Sequence, residues 1–278
     1  MSFEGNQIII TSRQNSTIKA ACALRNRSER ESSRLTLLEG YRELTRAFEY
    51  GMKLVECFYC PEMFLGENEF PLLQQLATAG VCNIQVAPTV LEKMAYRERP
   101  EGLIATAVMK QHRMEDMPAK KNGFYLIAEA IEKPGNLGSM LRSADAAGVD
   151  GLIVCDKGTD IYNPNVIRAS TGALFCVPLV ETDSVTALNW LRGNNIQILS
   201  ATPHTELNYT ESDMTNGVAI VVGREQTGLT PFWLDNADIK VRIPMLGKID
   251  SLNVTAAATI LLYEAARQRN WRKPDWSK

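Results

Sequence analysis

The most constraining feature of this chain is in its second half, where five apolar runs recur with helical stretches between them. The runs are 124–131, 151–155, 196–201, 218–222 and 239–243. Helices are predicted over 137–147, 166–174, 185–192 and 231–236, with a longer one over 252–269. A strand exposed on one face alternates apolar and polar residues, whereas one that is apolar throughout must be covered on both faces. Such strands, separated by helices, predict a doubly wound α/β fold with a parallel sheet.

The first half carries smaller elements. Helices are expected over 16–31, 41–50, 70–79 and 89–94, and strands over 54–59, 83–87 and 102–108. Between the halves, 109–121 is polar, contains Pro118 and has no sustained periodicity, so it reads as a linker. The expected organisation is a small α/β domain over 1–108, a linker over 109–121 and a larger domain over 122–278. With 278 residues, 45% of them hydrophobic, the chain can build both cores without disulfides.

Several classes of function are disfavoured. No apolar run approaches the roughly 18 residues of a spanning helix. The opening MSFEGNQIII carries an acid where a signal peptide carries bases, so a cytoplasmic protein with no membrane partner is expected. Net charge is −2, so global charge predicts no polyanion. Its distribution is uneven: Arg13, Lys19, Arg25, Arg27, Arg30 and Arg34 face only Glu29 and Glu31 between Thr11 and Arg34. From Arg267 to Lys278, five bases face Asp275 alone, with Trp271 and Trp276 interleaved. Such local surfaces can hold phosphates, although solvated helix faces have the same composition. Cys57 and Cys60 have CxxC spacing, but no second pair completes a zinc set, and His112 and His204 are far apart in sequence. No metal site is expected.

In open α/β sheets, ligands sit beyond the carboxyl ends of the strands. Four turns there are rich in glycine or polar residues: 132–138, 202–205, 223–228 and 244–251. None carries GxGxxG or GxxxxGK[ST], so neither a dinucleotide fingerprint nor a Walker loop is present. Asn136 is expected to cap the helix that follows it, and Asp250-Ser251 to cap the terminal helix, which would leave Asn253 in the first turn.

Together these turns carry a more specific signal. Asn136-Leu-Gly138-Ser-Met-Leu-Arg142-Ser-Ala144 resembles the first motif of the SpoU/TrmH branch of the SPOUT methyltransferases. Gly223-Arg-Glu225-Gln-Thr-Gly228-Leu229 resembles the second, and Ile243-Pro-Met245-Leu-Gly247 through Ser251-Leu252-Asn253-Val254 the third, in the family's order. Ser12-Arg-Gln-Asn15 through Lys19, with Leu37-Leu-Glu39-Gly40-Tyr-Arg42-Glu43, is similar to the substrate-binding domain attached to many of these enzymes. That domain resembles kink-turn-binding ribosomal proteins.

The resemblance implies a homodimer whose larger domain has a C-terminal trefoil knot. It implies methyl transfer from S-adenosylmethionine to a ribose 2′-hydroxyl of RNA, ribosomal RNA being favoured over tRNA. By resemblance Arg142 is the catalytic arginine, with Asn136, Glu225, Ser251 and Asn253 completing the site. Thr202, Gly223, Ile243, Met245 and Leu252 match positions around the cofactor. Arg13, Asn15, Lys19, Arg25, Arg27 and Arg42 are candidates for phosphate contact in the first domain. A guanidinium is always protonated, so anchoring and stabilisation of a developing alkoxide suit Arg142 better than proton abstraction. Two other readings stay open here: a tRNA methyltransferase, and a non-catalytic RNA-binding or assembly factor on the same fold.

Overall fold

A computed structural model describes residues 9–276. The start of the opening segment and the tail's terminal Lys278 lie outside the described residues. The chain forms two compact bodies. One runs to Lys110 and includes Tyr162–Arg168; the other comprises Gln111–Ile161 and the chain from Ala169 onward.

The first body begins with α1 (Ser16–Ala23) and α2 (Arg27–Ser33). Then come β1 (Leu35–Glu39), α3 (Tyr41–Glu49), β2 (Leu54–Tyr59), α4 (Glu69–Thr78), β3 (Cys82–Gln85), α5 (Pro88–Met94) and β4 (Leu103–Val108). Its sheet has the order β1-β4-β2-β3, with β2 and β3 parallel and β4 antiparallel to both its neighbours. Ile18, Phe58, Leu91, Met94 and Ile104 form much of its core. The single helix expected over 16–31 is broken at Leu24–Asn26. Buried Arg30 donates to the carbonyls of Leu24 and Arg25 at 2.9 and 2.8 Å, satisfying groups that the end of α1 leaves open. Strand β1 was not expected: Thr36 and Glu39 interrupt its apolar run.

The second body contains β5 (Phe124–Glu129), α6 (Pro134–Ala147), β6 (Gly151–Cys155), α7 (Pro164–Ser170, whose first turns count with the first body) and α8 (Ala173–Cys176). They are followed by β7 (Leu179–Thr182), α9 (Ser184–Gly193), β8 (Gln197–Ala201), β9 (Val218–Val222), α10 (Pro231–Asp235), β10 (Ile239–Val241) and α11 (Val254–Gln268). The six strands are parallel throughout, in the order β10-β8-β9-β5-β6-β7. This is the sheet expected from the apolar runs, with one strand more, since β7 follows Pro178 and is only four residues long. One face packs Tyr125, Ile127, Ile153, Ile198 and Val221 against Leu191 and Trp233. The alternate residues Leu126, Leu152, Val154 and Ile220 are buried too. Helices α6 and α11, which pack on each other and on β6 and β9, cover that side.

The helix expected over 166–174 is split into α7 and α8, because Thr171 and Gly172 both adopt positive φ. The segment read as a linker is folded into the second body. Met117 is buried, the Tyr125 hydroxyl donates to the Pro118 carbonyl at 2.6 Å, and Lys120 pairs with Asp150 at 2.9 Å. Its polar composition concealed these anchors.

Candidate active site

Strand order fixes where a ligand can sit. From β5 the chain moves outward through β6 and β7, then crosses to the other side for β8, β9 and β10. The order therefore reverses between β5 and β9, whose carboxyl ends flank the crevice that doubly wound sheets use for binding. The turn after β5 is 130–133, and that after β9 opens with Gly223. Thr202 directly follows β8, and Ile243 stands two residues beyond β10. Four loops thus converge on neighbouring strand ends.

Helix α6 begins at Pro134, with Lys133 at its N-cap position. Asn136 is therefore not the cap expected from sequence; it sits in the first turn. Proline at the first helical position lacks the N–H that would go unbonded there, which moves the start upstream. The capping acceptor comes from the second motif instead. Glu225 accepts from the backbone N–H of Lys133 at 3.3 Å and of Glu132 at 3.5 Å, and from Asn136 Nδ2 at 2.7 Å. An acid at a helix N-terminus is also favoured by the helix dipole. Partial burial acts to raise the Glu225 carboxyl, but the bonds from Asn136 and these backbone groups outweigh it and hold it below its ordinary value. Glu225 is thus an ordered, half-buried acid.

The terminal helix corrects the second cap. Asn253 itself caps α11, its Oδ1 accepting from Thr255 N at 2.9 Å, while Ser251 lies exposed upstream. Asn253 is therefore not in the first turn, as the sequence led one to expect, but at the N-cap, where an asparagine is most favourable. Its Nδ2 is left to donate to Asn136 Oδ1 at 3.2 Å, and Thr255 Oγ1 donates to the Asn136 carbonyl at 3.2 Å. One asparagine amide therefore bridges an acceptor from the second motif and a donor from the third. The structure brings together Asn136, Glu225 and Asn253. Ser251 makes no hydrogen bond to them among the described residues. Thr255 was missed, though a threonine in a first helical turn is a signal for such bonding.

Arg142 is on α6, two turns beyond Asn136, exposed and without a hydrogen bond or ion pair among the described residues. Ser143 beside it bonds Thr259 of α11 at 2.7 Å, fixing that stretch of helix.

The candidate cofactor residues are suited to an elongated, partly apolar ligand. Gly223 is pressed against its own loop: a Cβ there would lie 2.4 Å from the Gly228 carbonyl oxygen. Paired backbone bonds between Arg224 and Gly228, at 3.1 and 3.0 Å, close that loop. Thr202 is nearly buried, its N–H bonded to Val241 and its hydroxyl accepting from His204 N at 3.2 Å. Ile243, Met245 and Leu252 are only half-buried, so simple core packing does not account for them. Leu246 is 97% exposed and Ile249 64%, leaving apolar surface on the third-motif loop.

The basic candidates of the first body divide by what already engages them. Arg25 donates to the carbonyls of Lys93 and Ala95, both at 2.6 Å, and so caps the end of α5. Asn15 caps α1. Arg27 pairs with Glu31 at 2.7 Å, and Arg13 donates to the Thr89 carbonyl at 2.9 Å. Lys19 and Arg42 are exposed, and their side chains make no hydrogen bond or ion pair among the described residues. We predict that Arg25→Ala costs about 1–3 kcal/mol of stability, read as a fall in Tm, by removing the Ala95 carbonyl's bond and leaving Lys93 with only the weak Cys22 thiol as donor. Lys19→Ala and Arg42→Ala should leave Tm unchanged and each lower the salt dependence of RNA affinity by about one unit of slope. In the basic tail, Arg272 pairs with Asp150 at 3.4 Å, and Arg269 bonds the carbonyls of Asn122 and Asn216 and stands over the Phe124 ring. Trp276 donates to the Val149 carbonyl at 3.0 Å, so this tryptophan is a packing element, while Trp271 is 60% exposed.

Comparison with known proteins identifies the family. Residues 123–263 match the SpoU rRNA methylase family, and residues 15–105 match an MRM3-like substrate-binding domain. The 23S rRNA (uridine(2479)-2′-O)-methyltransferase of Streptomyces viridochromogenes is 32% identical over 94% of this chain and 92% of its own. The 23S rRNA (guanosine(2553)-2′-O)-methyltransferase RlmP of Bacillus subtilis is 26% identical over 91% of this chain and 97% of its own. Among solved structures, an RNA 2′-O ribose methyltransferase is 40% identical with a TM-score of 0.83, covering 95% of this chain and all of that one. The SpoU methyltransferase AviRb of S. viridochromogenes, in complex with AdoMet, is 30% identical with a TM-score of 0.81 over 92% of this chain and 99% of that one.

Proposed function

Because the chain belongs to the SpoU rRNA methylase family, we propose that it transfers a methyl group from S-adenosylmethionine to a ribose 2′-hydroxyl of ribosomal RNA. The observation that carries this reading is the Asn136 amide, which joins Glu225 and Asn253 at the topological switch point of the sheet. S-adenosylmethionine, when bound, supplies an electrophilic methyl group. The chain's own residues hold and align what reacts with it. Loops 202–205, 223–228 and 243–252 form the cofactor seat, with Gly223 permitting close backbone approach and Met245 and Leu252 lining it. Glu225, ordered by Asn136 and the start of α6, keeps the second loop against the first. Arg142 engages the RNA with its unpaired guanidinium, anchoring a phosphate bidentately and stabilising the negative charge that develops on the ribose oxygen as its proton passes to solvent water. Alignment of the oxygen behind the methyl group supplies much of the rate.

The finer points belong to the same reading. Ser251 is a substrate-facing hydroxyl rather than a cap. The knot implied by the third motif encloses the cofactor seat. The enzyme acts as a homodimer in the cytoplasm, and Tyr263 and Trp271, both exposed and packed edge to face at 6.2 Å, suit a subunit contact. Among the described residues no helix is long and apolar enough to cross a membrane. The first domain, with a boundary near 109–121, resembles kink-turn binders and selects the RNA by shape, with Lys19 and Arg42 as its freest phosphate contacts. One relative is named for a uridine and another for a guanosine, so the scaffold does not dictate the base.

The test is transfer of labelled methyl from S-adenosylmethionine to separated rRNA and tRNA. Label in rRNA, resistant to alkali at one linkage, is the expected result; label in tRNA alone, or in neither, overturns the assignment. The pH profile adds a check. Glu225 is held below its ordinary 4.5, so its contribution is fully present above that value and is lost as pH falls through the lower, folded one. Folding stability should therefore stay level from neutrality to about pH 4.5 and decline below as this contribution is lost, and Glu225→Gln should remove that part of the acid dependence.

A further inference from the structure

Glu129 is the last residue of β5 and is 1% exposed. Among the described residues no lysine or arginine pairs with it. Both its oxygens instead hold one residue: Oε2 accepts from Thr230 N at 3.0 Å and Oε1 from Thr230 Oγ1 at 2.5 Å. A buried carboxylate without a counter-charge is a costly way to stabilise a fold. The cost is compounded at Thr230. This residue is the N-cap of α10, where its hydroxyl would ordinarily accept from that helix; it makes no such bond and donates to Glu129 instead. Neither group is placed for the benefit of its own element.

What the pair does fix is the downstream end of the 223–228 loop. Upstream, that loop leaves β9 in the centre of the sheet; within it, Glu225 grips the start of α6. Downstream, α10 is itself a fixed post. The carbonyl of Trp233 accepts from Ser200 Oγ at 3.1 Å, and its indole donates to Ser184 Oγ at 2.9 Å. The contacts between the β5 turn and the loop run both ways, Glu225 reaching to the turn and Glu129 reaching to the loop's exit. The loop is thereby held at two points against the strand end that faces the cofactor seat.

We propose that Glu129 is a positioning residue for the methyl donor: through Thr230 it sets the loop that binds S-adenosylmethionine, without touching the cofactor. The proposal rests on the methyltransferase reading above. Its test uses the full chain, with cofactor affinity measured calorimetrically, methyl transfer to rRNA measured at saturating cofactor, and Tm followed for each variant. Thr230→Val keeps shape and removes the hydroxyl; it should weaken S-adenosylmethionine binding about tenfold, the worth of one bond to a charged acceptor, with kcat changed less than about twofold. Thr230→Ser should restore most of the affinity. Glu129→Gln should weaken binding similarly, and the double variant should be no worse than the poorer single one. Unchanged cofactor affinity in Thr230→Val overturns the proposal. So does a loss in which affinity, kcat and Tm fall together and serine rescues nothing, since that is a plain folding defect. If Thr230→Val does not fold, Glu129→Gln decides by the same criteria. Failure of the unaltered protein to bind S-adenosylmethionine counts instead against the methyltransferase reading itself.

Discussion

Replacing Arg142 by alanine should lower the rate of methyl transfer by about 10²–10³-fold, the usual loss when a group that stabilises developing charge is removed. The size follows from the position. Arg142 is exposed on α6 and has no bond or ion pair among the described residues, so nothing in the free protein depends on its charge. Tm and cofactor affinity should stay at their unaltered values. Arg142→Lys retains the charge but loses the planar fork, and should recover only part of the rate. Single-turnover transfer from labelled S-adenosylmethionine measures all three proteins. A rate for Arg142→Ala within threefold of the unaltered enzyme removes Arg142 from the mechanism.

The second large effect is expected at Asn136. Asn136→Asp puts a carboxylate 2.7 Å from Glu225, where a donor stood, and like charges at that distance cannot both ionise. The second loop should then leave the start of α6. Cofactor affinity should fall by about 100-fold, consistent with loss of a bond to a charged group plus repulsion. The same substitution should push the acid pair's titration upward. Reversing the partner supplies the control: in Asn136→Asp with Glu225→Gln, the glutamine donates to the aspartate, while Asn253 Nδ2 still finds its acceptor. Recovery of most of the affinity in that double variant is the outcome predicted. Equal loss in single and double variants would show that the bond is not what orders the loop. A smaller effect belongs to Asn253→Ala, which should cost about 1 kcal/mol for the lost cap of α11.

How far the sequence was legible depends on which interactions are local. Buried parallel strands announce themselves because every residue must be apolar, and β5, β6 and β9 are recognisable on that ground alone. Strands β1 and β7 were missed because polar residues break their apolar runs, Thr36 and Glu39 in one and Glu181 and Thr182 in the other. The caps failed for a different reason. Asparagine and serine before a helix are sound local signals, yet the acceptor at the start of α6 is Glu225, 89 residues away in sequence from Asn136. No window along the chain contains both. Basic residues misled in a similar way: Arg25, Arg30 and Arg269 look like phosphate ligands in a charge count, but each donates to backbone carbonyls. The resemblance grouped Asn136, Glu225 and Asn253, and hydrogen bonds join them in the structure, but the direction of each bond required coordinates.

The reach of the Asn136 junction also bears on how the protein is made. Asn136 and Asn253 are separated by 117 positions, and the second of them opens the helix that packs along α6. A chain still emerging from the ribosome folds its earlier domains first. The first body and most of the parallel sheet can form at that stage, but the junction waits until α11 has been synthesised and docked. Nascent chains, and products of premature termination before residue 253, would therefore carry the first body without the Asn136–Asn253 junction. The Asn136 junction therefore forms only once residues 253–268 have been made and docked.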